Sequence, residues 1–341
     1  MSVKKLDKKA LDSWVESLVA GQKVFGVQAK GERFAFAELA DASALRLDYD
    51  VTMLPPKKYF LPQEEDLLTF KRSGEHKSVI ECDPFVLLGV HPYDFVGIRQ
   101  MDAIFAKDND DIHYQARRKA ATIVVCDVQN ASENVFAGCM NSAVVEDGFD
   151  VLITKIGESY LLDAKTEKGE ALLKSVDAPD AAEADLAERS KVWEANKAAL
   201  KKHDLKCAPA DLPKLLGSSE EHPVWAEKAE KCFSCGSCNL VCPTCYCFDV
   251  QDTIDWDMDS GKRYRCWDGC MLKDFATVTG KHHAADRAAS VCDHCTVSNQ
   301  SHCNHTFKCR QHVPHFRSCR GQHAPCFFSF RWRSRTPQEH L

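Results

Sequence analysis

The chain has 341 residues and 44% hydrophobic content, which is enough for two domains with buried cores and excludes disorder along its whole length. It has no apolar run of about eighteen residues and no signal-peptide core at its N-terminus, which predicts a cytoplasmic protein without membrane insertion. The net charge is −6, although residues 284–341 carry eight Lys or Arg against three Asp or Glu. The rest of the chain is therefore acidic, which makes it unsuited to binding nucleic acid.

Residues 1–177 show the alternation of strand-like and helix-like segments that is typical of an α/β domain. Apolar runs bounded by turn residues predict the strands, and longer periodic segments predict the helices. In chain order we predict a hairpin of residues 23–29 and 33–36, a buried strand at 85–90, a helix at 95–105, a second buried strand at 121–128, a hairpin of 149–156 and 159–162, and a helix at 165–176.

Residues 178–222 are rich in Ala, Glu, Lys and Asp. Such a composition with helical spacing favours a solvated helix, so we predict a helical linker between two domains. A short helix over 223–231 would then lead the chain into a cysteine-rich segment. Eighteen cysteines in a cytosolic chain of this size indicate metal or redox centres rather than disulfides.

The strongest motif is a run with the spacing C-x-x-C-x-x-C-x-x-x-C-P, formed by Cys232, Cys235, Cys238, Cys242 and Pro243. This is the bacterial ferredoxin motif for a [4Fe–4S] cluster, and thiolates are the soft ligands that such clusters require. In two-cluster ferredoxins the fourth cysteine ligates the other cluster, so a complete fold needs a second copy of the motif. The chain shows none, and we predict an incomplete ferredoxin-like α+β domain over residues 223–283.

Zinc is the alternative metal for these cysteines. A zinc-binding module that contacts RNA or protein would also use Cys and His ligands. Zinc sites usually pair their ligands in two knuckles, whereas this run is a triplet with a fourth member, and the acidic body argues against RNA. The iron–sulfur hypothesis is therefore favoured, and the zinc module stays as the second hypothesis.

Further cysteines lie in the strings CGSCNLVCPTCYCFDVQD and GKRYRCWDGCM, which are followed by DFATVTGKHH and preceded by LLGVHPYD, ARRKA and GFDVLIT. Together these strings resemble the beta subunit of cytosolic sulfhydrogenases and the corresponding iron–sulfur subunit of anaerobic sulfite reductases. The resemblance covers about residues 20–283, most of the chain.

This resemblance implies a non-catalytic protein that carries electrons between a catalytic subunit of hydrogenase or sulfite reductase type and a flavin- and NAD(P)-binding reductase subunit. It implies one or two [4Fe–4S] clusters, with a third as a further option. The family's first cluster motif matches Cys232, Cys235, Cys238 and Cys242. Candidates for a further cluster match positions that follow it, namely Cys245, Cys247, Cys270 and His282.

Residues 284–341 depart from the family pattern, which continues into a basic helical stretch and a second C-x-x-C-x-x-C motif. This segment holds six cysteines, seven histidines and only four large aliphatic residues, too few for an ordinary core. We interpret it as an irregular or disordered tail produced by a frameshift or a similar aberration, which would deprive the first cluster of its fourth thiolate. The alternative is a genuine zinc-like site with ligands drawn from Cys292, Cys295, Cys303, His305 and Cys309.

Overall fold

The computed structural model describes residues 3–107, 110–219, 221–230, 232–233 and 235–272. The predicted ligand His282 and the predicted tail at 284–341 lie outside them. The strands are β1 (Val3–Asp7), β2 (Lys23–Lys30), β3 (Arg33–Glu38), β4 (Glu64–Lys71), β5 (His76–Ser78), β6 (Phe85–Val90), β7 (Ala121–Cys126), β8 (Val151–Ile156), β9 (Ser159–Ala164), β10 (Phe248–Ile254) and β11 (Ser260–Trp267). The α-helices are α1 (Lys8–Gly21), α2 (Pro92–Phe105), α3 (Ile112–Ala120), α4 (Glu167–Leu173), α5 (Glu183–Ala199), α6 (Leu212–Gly217), α7 (Val224–Ala229) and α8 (Ser237–Val241).

A seven-stranded sheet in the order β1-β9-β8-β7-β6-β2-β3 forms the centre of the fold. Strands β2, β6, β7 and β8 run parallel to one another, and β3 and β9 are antiparallel to their neighbours. All six residues of β6 are buried; Val86 and Leu88 join one apolar core, and Phe85 and Leu87 join the other. A continuous apolar run is what a parallel strand needs when both faces of its sheet are covered. The predicted mixed α/β fold is confirmed.

The predicted elements of this sheet are present, with shifted ends. Helix α2 begins at Pro92 with His91 in the cap position, three residues before the predicted start at residue 95. Proline suits the first helical turn because its fixed φ is helical and its missing N–H has no intrahelical acceptor there. Strand β7 ends at Cys126, two residues before the predicted end.

Helix α5 occupies part of the segment predicted to be a linker. It packs against β8, and Trp193 donates a hydrogen bond from Nε1 to Oδ2 of Asp127 over 2.8 Å. Arg189 on the same helix pairs with Asp163 of β9 at 2.8 Å. The helix thus lies on the central sheet, while the division of the chain at residues 177, 222 and 283 stays a prediction.

A second, four-stranded sheet has the order β10-β11-β4-β5 and joins distant parts of the chain. Strand β4 pairs antiparallel with β11, from Ser260 opposite Lys71 to Cys266 opposite Glu64. Because β10 follows the cysteine run directly and β11 leads to Cys270, this pairing fixes the cysteine-bearing segment against the first half of the chain.

Candidate metal centre

The cysteine run is shaped by two short helices and a glycine. Cys232 follows α7, and its backbone N–H donates to the Ala229 carbonyl over 3.0 Å. Gly236 has φ +68°, a left-handed conformation that L-residues rarely adopt, and it immediately precedes α8. Cys238 lies on α8 and Cys242 ends it, so one helical turn separates these two thiols.

The other three cysteines of the run lie around Cys238, together with Cys270. Burial raises the pKa of the Cys238 thiol, and the neighbouring thiols of Cys270, Cys232, Cys242 and Cys235 raise it further, in that order. Cys232 and Cys242 are buried, whereas Cys235 is exposed. The apolar residues around them are Trp225, Ala229, Met271, Leu216 and Val224. The structure therefore brings the whole predicted run together at one partly dry site.

A second group of thiols lies beside the first. The Asn239 side-chain amide donates from Nδ2 to Cys245 Sγ over 3.8 Å and to Cys270 Sγ over 3.7 Å, so one amide spans both sulfurs. Burial raises the pKa of Cys270 to about 12, with further contributions from the thiols of Cys247 and Cys242. Burial also raises the pKa of Cys247. Three of the four further candidates thus share one place, which adjoins the first group through Cys242 and Cys270.

Thiols with raised pKa values lose their protons at neutral pH only when a cation stabilises the thiolate. The two groups therefore fit an iron–sulfur cluster, in which iron supplies that cation. Within the described residues, no three His, Cys, Asp or Glu side chains converge closely enough to hold a single metal ion.

Sequence reasoning missed the part that the first half of the chain contributes to this site. Lys57 is buried and donates from Nζ to the backbone oxygens of Asn239 and Cys245 over 3.0 and 2.8 Å. On α2, a Cβ placed on Gly97 would lie 3.3 Å from Pro243, so this helix packs closely against the end of the cysteine run. No sequence motif marks either residue, since both act only through tertiary contacts.

Within the residues that the structure describes, no helix is both long and apolar enough to cross a membrane.

Comparison with known proteins gives the cofactor. The family model of the 4Fe-4S dicluster domain matches residues 231–321, and so extends beyond residue 283. Sulfhydrogenase 2 subunit beta of Pyrococcus furiosus is 32% identical over 264 residues, which covers 76% of this chain and 77% of that protein. The family model and the relative show that the chain binds [4Fe–4S] clusters, so the zinc module is not favoured. The chain therefore belongs to the family of sulfhydrogenase beta subunits, which are iron–sulfur electron-transfer subunits.

Proposed function

We propose that this chain passes electrons between a catalytic subunit of hydrogenase or sulfite reductase type and a flavin- and NAD(P)-binding reductase subunit, in the cytoplasm. The observation that supports this most is the placement of seven cysteines in two neighbouring groups, where burial raises the pKa values of Cys238, Cys247 and Cys270. The relative is by name one subunit of a sulfhydrogenase, which supports the expectation of partner subunits.

The proposal assigns the thiols to two groups within a ferredoxin-like domain. Cys232, Cys235 and Cys238 form the first group, and Cys245, Cys247 and Cys270 form the second. Cys242 raises the pKa values of both Cys238 and Cys270, which supports a place between the groups. In two-cluster motifs the fourth cysteine ligates the other cluster, and this position suits that role.

The protein's own contribution is to hold the thiolates, to exclude water and to supply hydrogen bonds to sulfur. When bound, [4Fe–4S] clusters accept and release single electrons at potentials that burial and hydrogen bonding set. Trp225 and Met271 shield the first group from water, and the Asn239 amide donates to sulfurs of the second. No residue of the chain is assigned to breaking a substrate bond, and the partner subunits would bring that chemistry.

The test is anaerobic purification followed by iron, sulfide and zinc analysis, with electron paramagnetic resonance (EPR) of the dithionite-reduced protein. We expect iron and sulfide in equal amounts and a reduced-cluster signal. Cys238→Ser should remove iron of the first group and Cys247→Ser iron of the second. The matched control is Cys139→Ser. In the wild type the half-buried Cys139 thiol donates to the Phe136 carbonyl over 3.0 Å and belongs to neither group.

NAD(P)H alone should leave the clusters oxidised, and addition of a flavoprotein reductase should reduce them. Direct reduction by NAD(P)H would contradict the need for a flavin-binding partner. Zinc without sulfide would contradict the electron-transfer role itself. Iron content that is unchanged in Cys247→Ser would refute only the second group.

A further inference from the structure

Lys57 reaches the second thiol group from the other half of the chain. It lies in the 3₁₀ turn Pro56–Tyr59, and only 3% of its surface is exposed. Its ammonium donates to the carbonyl oxygens of Asn239 and Cys245 and lies 4.3 Å from the centre of the Trp267 ring. Carbonyl dipoles and an aromatic face both stabilise a cation, so the site is built to hold the charge of Lys57.

Lys57 binds the backbone at residues that carry or contact these thiols. Its ammonium donates to the carbonyl oxygen of Cys245 over 2.8 Å, so a full positive charge lies beside the backbone of a candidate ligand. Lys57 also binds the backbone of Asn239, whose side-chain amide contacts the sulfurs of Cys245 and Cys270. One buried cation is therefore hydrogen-bonded to the backbone of one candidate ligand and to the residue whose amide contacts two of the candidate sulfurs.

We propose that Lys57 is a positioning residue that raises the reduction potential of the cluster held by Cys245, Cys247 and Cys270. This inference rests on the proposed function, in which these thiols bind iron. Reduction adds one electron to the bound cluster and forms or breaks no bond, so the site becomes more negative by one charge. A buried cation stabilises that reduced state more than the oxidised one, and the low local dielectric strengthens the effect.

The experiment is an EPR-monitored potentiometric titration of the full chain under anaerobic conditions, with dithionite as the reductant. Lys57→Gln removes the charge and keeps a hydrogen-bond donor, and Lys57→Arg keeps the charge. We expect a lower potential for one cluster in Lys57→Gln and a potential near the wild-type value in Lys57→Arg. EPR detects only molecules that hold a reduced cluster, so partial loss of iron leaves the potential measurable.

Lys58 provides the matched control, since it is the next residue of the same turn. Its ammonium donates instead to the Phe36 carbonyl of β3 over 2.9 Å. Lys58→Gln removes one positive charge as well, and we expect it to leave every cluster potential unchanged.

Two results would overturn the inference. One is a wild-type potential in Lys57→Gln, and the other is complete loss of the cluster in that variant, which would show a purely structural role. Failure of the proposed function can be told apart from failure of this inference. Unchanged iron content in Cys247→Ser would show that these thiols hold no cluster, whatever the Lys57 variants do.

Discussion

Arg265 of β11 donates a hydrogen bond to Glu65 of β4, although 200 residues separate them in the chain. Both side chains are 3% exposed. Arg117 also donates to Glu65, and Arg265 also donates to Asp111. A buried ionic network therefore ties the hairpin that follows the cysteine run to the first half of the chain.

The first prediction concerns this network. Arg265→Met leaves the Glu65 carboxylate buried with one cation fewer, and breaking a buried pair in this way costs about 3–5 kcal/mol of unfolding free energy. The measurement is urea unfolding of the iron-loaded protein. The control is Arg263→Met on the same strand, which breaks a half-exposed pair with Asp252 and should cost about 0–1 kcal/mol. Equal losses in the two variants would show that burial of the Arg265 pair adds nothing.

Strand β6 and the cysteine run were predictable because their signals are local. A continuous apolar run specifies a parallel strand whose two faces are both covered, and the spacing from Cys232 to Cys242 specifies cluster ligands without further context.

The contacts of Lys57 and Arg265 were not predictable in the same way. The chain carries 44 Lys and Arg, and nothing in the spacing of these two shows that the fold buries them. The start of α2 was predicted at residue 95, whereas Pro92 begins the helix. Local patterns predict the candidate ligands and the central strands, and tertiary contacts place the residues that surround the candidate ligands.

The second prediction tests the turn inside the cysteine run. Gly236→Ala forces an L-residue to φ +68° and places a Cβ 2.7 Å from Leu272 Cδ2, so we expect less iron per chain. Gly31 is the control because it has φ +64° and nothing within 4 Å of an added Cβ. Gly31→Ala should lower stability by about 1–2 kcal/mol and leave the iron content unchanged. Full iron content in Gly236→Ala would show that this turn tolerates a side chain.

The third prediction concerns the packing of Asn239. A Cβ on Gly269 would lie 2.4 Å from Asn239 Oδ1 and 2.5 Å from its Cγ, so Gly269→Ala must displace the amide that contacts Cys245 and Cys270. We expect iron of the second group to fall, as measured by iron analysis and by the EPR signal. The control is Gly21→Ala at the end of α1, where an added Cβ has nothing within 4 Å. An unchanged EPR spectrum in Gly269→Ala would show that the amide contacts are dispensable.

The last prediction is a pH dependence that arises at Asp127, far along the chain from the cysteine run. Burial raises the pKa of this carboxyl from an ordinary 3.8 to about 6, although Thr154 and Trp193 donate hydrogen bonds to it. Between these two values the folded protein holds a proton that the unfolded chain has released. Stability therefore falls as the pH rises through about 4 to 6, by at most about 3 kcal/mol.

Asp127→Asn removes this titration, so the unfolding free energy should depend less on pH over that window than in the wild type. Urea midpoints measured at several values between about pH 4 and 7 provide the test. Asp252→Asn is the control. In the wild type, pairing with Arg263 lowers the pKa of Asp252, so any stability from that pair is lost only as the pH falls below about 4. Its curve should run parallel to the wild-type curve within the window. Wild-type pH dependence in Asp127→Asn would show that another group holds the proton.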